Sequence, residues 1–122
     1  MDPEILIAAG RIIFGLFFVI AGVRNFAGFT ARTNLPTNYG WPLPAPLLAA
    51  GFTTQLLGGL ALIAGLWTAW GAIALILFLI VATPLYHNLF RFKGAERLPH
   101  LYFTLVNITL SGGLLQIIAN AA

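Results

Sequence analysis

Four apolar runs of about 20 residues, each nearly free of charge, constrain this chain more than any other feature. They cover 4–23, 45–66, 67–86 and 99–119. A helix rises about 1.5 Å per residue, so each run can cross a hydrocarbon core of about 30 Å. In lipid the backbone must satisfy its own hydrogen bonds, and a helix does so within one segment. The expected fold is an all-α membrane protein: a single domain, built as an antiparallel up-down bundle of four transmembrane helices. Composition points the same way. Of the 122 residues, 60% are hydrophobic and 7% charged, where a soluble domain carries about 25% charged residues. A soluble chain of this size could not bury so much apolar surface, so the lipid bilayer is its expected partner.

The connections carry their own signals. Asp2 before Pro3 reads as an N-cap and first helical residue. With Glu4 it also makes the start acidic, unlike the basic start of a cleaved signal peptide. Gly65-Leu66-Trp67-Thr68 is a short uncharged turn, which makes the second and third spans antiparallel neighbours. Trp67 and Trp70 suit the headgroup level. The segment 24–44 holds Pro36, Pro42 and Pro44 with Tyr39, Gly40 and Trp41. It cannot be one helix, and it reads as a lid over one end of the bundle. Arg24, Arg32, Arg91, Lys93 and Arg97 all fall in the first and third connections, which share a side. The positive-inside rule therefore places those connections in the cytoplasm and both termini outside. The expected location is a bacterial inner membrane.

Polar groups inside the spans are expensive and need partners. Arg11 lies seven positions past Glu4, about 10 Å deep in the first span. Its helical face also carries Gly15, Phe18, Gly22 and Asn25, and small residues there permit close helix approach. Gly51, Gln55, Gly58, Gly59 and Leu62 form a facing side on the second span. Gln55 could accept hydrogen bonds from Arg11 but cannot neutralise it. The other reading of Arg11 is a side chain that snorkels to headgroups or water. His100, Thr104, Asn107 and Ser111 recur at spacings of 4, 3 and 4, so they form one stripe directed at the bundle or a cavity. Interhelical hydrogen bonding alone would also account for such a stripe. Thr83 and His87 share a face beside Pro84. Tyr86, His87, His100 and Asn107 are expected to converge at the cytoplasmic mouth. Histidine changes charge near neutral pH, which suits a quinone carbonyl or a proton path.

Several chemistries are disfavoured. There is no cysteine, hence no thiolate nucleophile, disulfide or iron–sulfur ligand. No zinc spacing, phosphate loop or nucleophile elbow is present. No metal site is expected, and the two histidines make a poor haem pair because both lie near one membrane face. A net charge of +3 without a basic face does not fit nucleic-acid binding.

Gly10-Arg11 with the run Gly15 to Arg24, the run Gln55 to Gly65, His87 and Asn107 together resemble the DoxX family of small four-span membrane proteins. The resemblance covers most of the chain. That family often has a glutamate where this chain has Gln55, so a buried arginine–carboxylate pair would lack its acidic half here. The resemblance implies association with oxidoreduction, as in membrane subunits of quinone-linked sulfur oxidation.

The combined expectation is a small membrane subunit of an oxidoreductase system that contacts quinone and anchors a redox partner. The sequence holds no intrinsic redox group, so quinone is the only cofactor expected. Arg11, Gln55, Tyr86, His87, His100, Thr104 and Asn107 are the expected polar interior. The alternatives are a structural or assembly subunit of a larger membrane complex, in keeping with 13 glycines, and a small-solute transporter.

Overall fold

The computed structural model describes residues 1–87 and 92–121. The chain is all-α: α1 Pro3–Ala27, a short α2 Phe29–Thr33, α3 Ala45–Ala64, α4 Thr68–Tyr86 and α5 Arg97–Ala119. A single 3₁₀ turn, Gly94–Glu96, leads into α5. The four long helices are each apolar and long enough to cross a membrane, so this is a multi-pass membrane protein.

Local chemistry sets the helix ends. Asp2 accepts a hydrogen bond from the Glu4 N–H at 2.9 Å, and Pro3 occupies the first turn of α1. Helix α1 continues to Ala27, one turn beyond the expected 23, because nothing before Gly28 breaks it. Gly65 closes α3 in the left-handed conformation at φ 73°. Two residues on, Trp67 adopts φ 48°, an uncommon state for a bulky residue. The turn reverses the chain within four residues and leaves Trp67 and Trp70 exposed, as suits rings that favour the headgroup level.

Packing follows chain order: α1 on α3, α3 on α4, α4 on α5. Glycine governs the first contact. A Cβ on Gly15 would stand 2.6 Å from the Gly59 carbonyl, and one on Gly59 would stand 2.8 Å from the Gly15 carbonyl. The two backbones touch, as small residues allow between membrane helices. Gly58 presents its other side to Leu75, and Gly71 packs against Ala61, so α4 approaches α3 closely as well. The core is Phe18, Leu62, Ala72, Leu75, Leu79 and Leu114. Phe14 of α1 packs on Gly113 of α5, closing the bundle through side chains. Helix α5 is the least enclosed: 6% of its apolar stretch is buried, against 33% for α3.

Because the long helices alternate in direction, both connections bearing arginine and lysine lie at one end of the bundle. We call it the basic end, and the other the termini end. Arg91, one of the five cations assigned to the basic side, lies outside the described residues. The segment 34–44 covers the basic end as a lid. It folds back on itself through the Thr37 N–H, which donates to the Trp41 carbonyl at 2.9 Å. Asn38 then reaches α4: its N–H donates to the Leu85 carbonyl at 2.7 Å and its side-chain amide to the Pro84 carbonyl at 3.0 Å. These are terminal carbonyls that α4 cannot satisfy itself.

Candidate functional site: a cavity at the basic end

Beneath the lid lies a cavity of about 800 Å³. Its walls are apolar and come from several elements, with Leu48, Phe52, Phe78 and Leu79 among them. The polar groups of the lining are Asn25, Arg32, Thr54, Gln55, Tyr86, His87 and Asn107. Most of them sit on two hydrogen-bonded sets.

The first set joins α1, α2 and α3. The Asn25 amide donates to Gln55 Oε1 at 2.7 Å, and Arg32 Nε donates to Asn25 Oδ1 at 2.7 Å. Gln55 is buried, 6% exposed, so its carbonyl oxygen needs this partner. The bend at Gly28 returns α2 toward α1, and a Cβ at Gly28 would collide with the Arg32 guanidinium. Gly28 thus makes room for the arginine to reach Asn25.

The second set joins α4 and α5. His87 Nδ1 and His100 Nδ1 lie 2.8 Å apart, so one nitrogen donates and the other accepts, and the doubly protonated pair is disfavoured. Burial, and secondarily the nearby His100, lowers the pKa of His87. Phe92 stacks on His100 and Phe103 on His87. One turn deeper, the Asn107 amide donates to Thr83 Oγ1 at 2.9 Å. Thr104 Oγ1 lies 2.7 Å from the His100 carbonyl and 3.3 Å from that of His87. Ser111 donates to the Asn107 carbonyl at 2.9 Å. The α5 stripe thus divides: His100 and Asn107 bond across to α4 side chains, and Ser111 bonds within its own helix.

Of the expected polar interior, Gln55, Tyr86, His87 and Asn107 line the cavity, while His100 and Thr104 support it from behind His87. Arg11 does not belong there, which corrects the expected pairing of Arg11 with Gln55. Gly15 meets Gly59, and this register puts Arg11 beside Gly65 and brings Gln55 to Asn25. Gly65 lies ten residues past Gln55, about 15 Å along the helix. Asn25 and Arg32 are the members that sequence reasoning missed as site residues. The available signal was that Asn25 ends the small-residue face of the first span, one helical turn before a glycine break. Among the described residues, no group of three His, Asp or Glu side chains could hold a metal ion.

The DoxX family model matches residues 6–88, more than half of the chain, covering most of α1 and all of α2, α3 and α4. The chain belongs to the DoxX family. No curated protein and no solved structure matches it. In this DoxX protein Gln55 is the acceptor of the Asn25 amide, and it is Arg32, through Asn25, rather than Arg11 that is linked to it.

Proposed function

We propose that this DoxX protein is a small membrane subunit of an oxidoreductase system whose basic-end cavity takes a quinone and whose lid face anchors a redox partner. The supporting observation is the cavity itself. It lies within the volume range of small-molecule sites, about 300–1,000 Å³, with apolar walls and a few polar groups to set orientation. Gln55 lies on α3, Asn107 on α5 and His87 at the C-cap of α4, so they can address a planar ring from different sides. The amides donate hydrogen bonds to a carbonyl, and His87 can give or take a proton there. When bound, a quinone supplies two-electron, two-proton chemistry that the chain lacks. The protein's contribution is to hold the ring, exclude water and place a titratable group beside it.

The redox partner would meet the basic end, where Arg24 and Lys93 are exposed and an acidic surface would be complementary. We place this end in the cytoplasm of a bacterial inner membrane, with both termini outside, from the positive-inside rule. Lys93→Cys should then resist a membrane-impermeant maleimide in intact cells and react in inverted vesicles; the reverse pattern overturns the orientation.

Purification of the full chain in mild detergent, followed by solvent extraction and mass spectrometry, tests the cavity. A quinone should copurify near stoichiometrically. Gln55→Leu and Asn107→Leu should each weaken its binding about tenfold, the worth of one hydrogen bond of about 1.4 kcal/mol. A clean extract together with no binding of added quinone would refute the proposal.

A further inference from the structure

A second cavity, of about 530 Å³, lies at the termini end of the bundle, and Arg11 lines it. Among the described residues, Arg11 Nε is buried and has no hydrogen-bond partner. The protein has three acidic residues, Asp2, Glu4 and Glu96, and none of them lines this cavity. A guanidinium in partly apolar surroundings is costly unless a counter-ion is supplied, and the basic-end site does not use this one.

Its polar neighbours in the lining are all uncharged. Gln116 and Asn120 bring side-chain amides from the last turns of α5. Thr68 is the first residue of α4 and adds a hydroxyl. Helix α4 starts without a side-chain cap, whereas α1 at the same end is capped by Asp2. An uncapped helix start offers unpaired N–H groups and the positive end of the helix dipole. Gly65 is essential to the arrangement, because a Cβ there would strike the Arg11 guanidinium. The cavity thus combines a fixed positive charge, neutral donors and a helix N-terminus, with no acidic side chain in its lining. That is the chemistry of an oxyanion site.

We propose that the termini-end cavity binds an oxyanion through Arg11, as the headgroup phosphate of an anionic phospholipid or as a free tetrahedral anion. The planar guanidinium fork takes two oxygens, and Gln116 or Thr68 takes a third. The lining includes Leu6 near the start of α1 and Asn120 and Ala121 just past the end of α5, so a site here belongs to the ends of the spans rather than to their middle. This site is separate from the quinone cavity and independent of that proposal.

The test uses the full chain in maltoside micelles stripped of phospholipid. Thermal stability is recorded against sodium sulfate or sodium phosphate at ionic strength held constant with sodium chloride. The same measurement is repeated with phosphatidylglycerol and with an uncharged galactolipid. The wild type should be stabilised by at least one of the anionic ligands and not by galactolipid. A response to phosphatidylglycerol alone identifies a headgroup, and a response to sulfate or phosphate identifies a free anion. Arg11→Gln should raise the half-saturating concentration at least about tenfold, and Arg24→Gln, the same charge change at the basic end, should not. If Arg11→Gln does not fold, Gln116→Leu gives the reading, and it should weaken the response without abolishing it. No response to any anion, or a response unaltered in both cavity variants, overturns the proposal.

Discussion

The contact between Gly15 and Gly59 sets the register of α1 against α3, and Gly15→Ala should disrupt it. The added Cβ would lie 2.6 Å from the Gly59 carbonyl oxygen and 2.6 Å from Ile63 Cγ1. Ordinary contact begins near 3.4 Å, so the helices must part by roughly 0.8 Å, the difference between those distances. A gap of about 0.5–1 Å already forfeits a quarter to a half of each dispersion contact it opens. Overpacking of this kind costs about 1–3 kcal/mol. Replacing glycine by alanine within a helix returns at most about 1 kcal/mol of propensity, so the clash should prevail. Gly10→Ala and Gly112→Ala measure that propensity gain alone, since a Cβ at either meets nothing within 4 Å. Gly59→Ala forces the same separation from the other side, with its Cβ 2.8 Å from the Gly15 carbonyl and 2.9 Å from the Val19 nitrogen. One displacement accommodates both methyl groups. The double variant should therefore fall short of additivity by at least about 0.5 kcal/mol. Steric trapping in bicelles would supply the unfolding free energies. A Gly15→Ala protein as stable as Gly10→Ala, or fully additive costs, would refute the proposed backbone contact.

Three further outcomes follow from the site. Gln55→Leu removes the acceptor of a partly buried amide and should destabilise the protein by about 1–3 kcal/mol, whereas Gln55→Glu keeps an acceptor for Asn25 and should cost less; denaturation in detergent compares the two. The lowered pKa of His87 means that the unfolded chain takes up its proton at higher pH than the folded one. Its contribution is therefore complete above the ordinary value of about 6.5 and is lost as pH falls below that value; a melting temperature that dropped equally for wild type and His87→Ala between pH 7 and 5.5 would contradict this. Asn38→Ala removes one of the two bonds from the lid to α4, and amide exchange of the segment 34–44 should accelerate while α1 and α3 stay protected.

Much of the architecture was legible because lipid imposes a length. Each apolar run had to be a helix, and Asp2 and Gly65 marked ends with chemistry specific to caps. The five-residue helix α2 was not legible, since it is too short to show a period. The paired histidines could be anticipated, because His87 ends one span and His100 begins the next. The pairing of Arg11 with Gln55 failed for a different reason. Periodicity tells which way a residue points around a helix axis and is silent about its height along a neighbour. Height here depends on where two glycine backbones meet. Asn25 and Arg32 escaped for the same reason, and the cavity walls come from several helices that no single stretch of sequence describes.

Helix α5 has a consequence for how a guest would arrive. The family match ends at residue 88, before this helix begins. Little of it is enclosed, and its ties to α4 include two side-chain bonds near the lid, His100 to His87 and Asn107 to Thr83. Breaking those two bonds would part α5 from α4 where the cavity lies. A long-tailed molecule dissolved among acyl chains could then slide in sideways and leave its tail in the bilayer, without ever entering water.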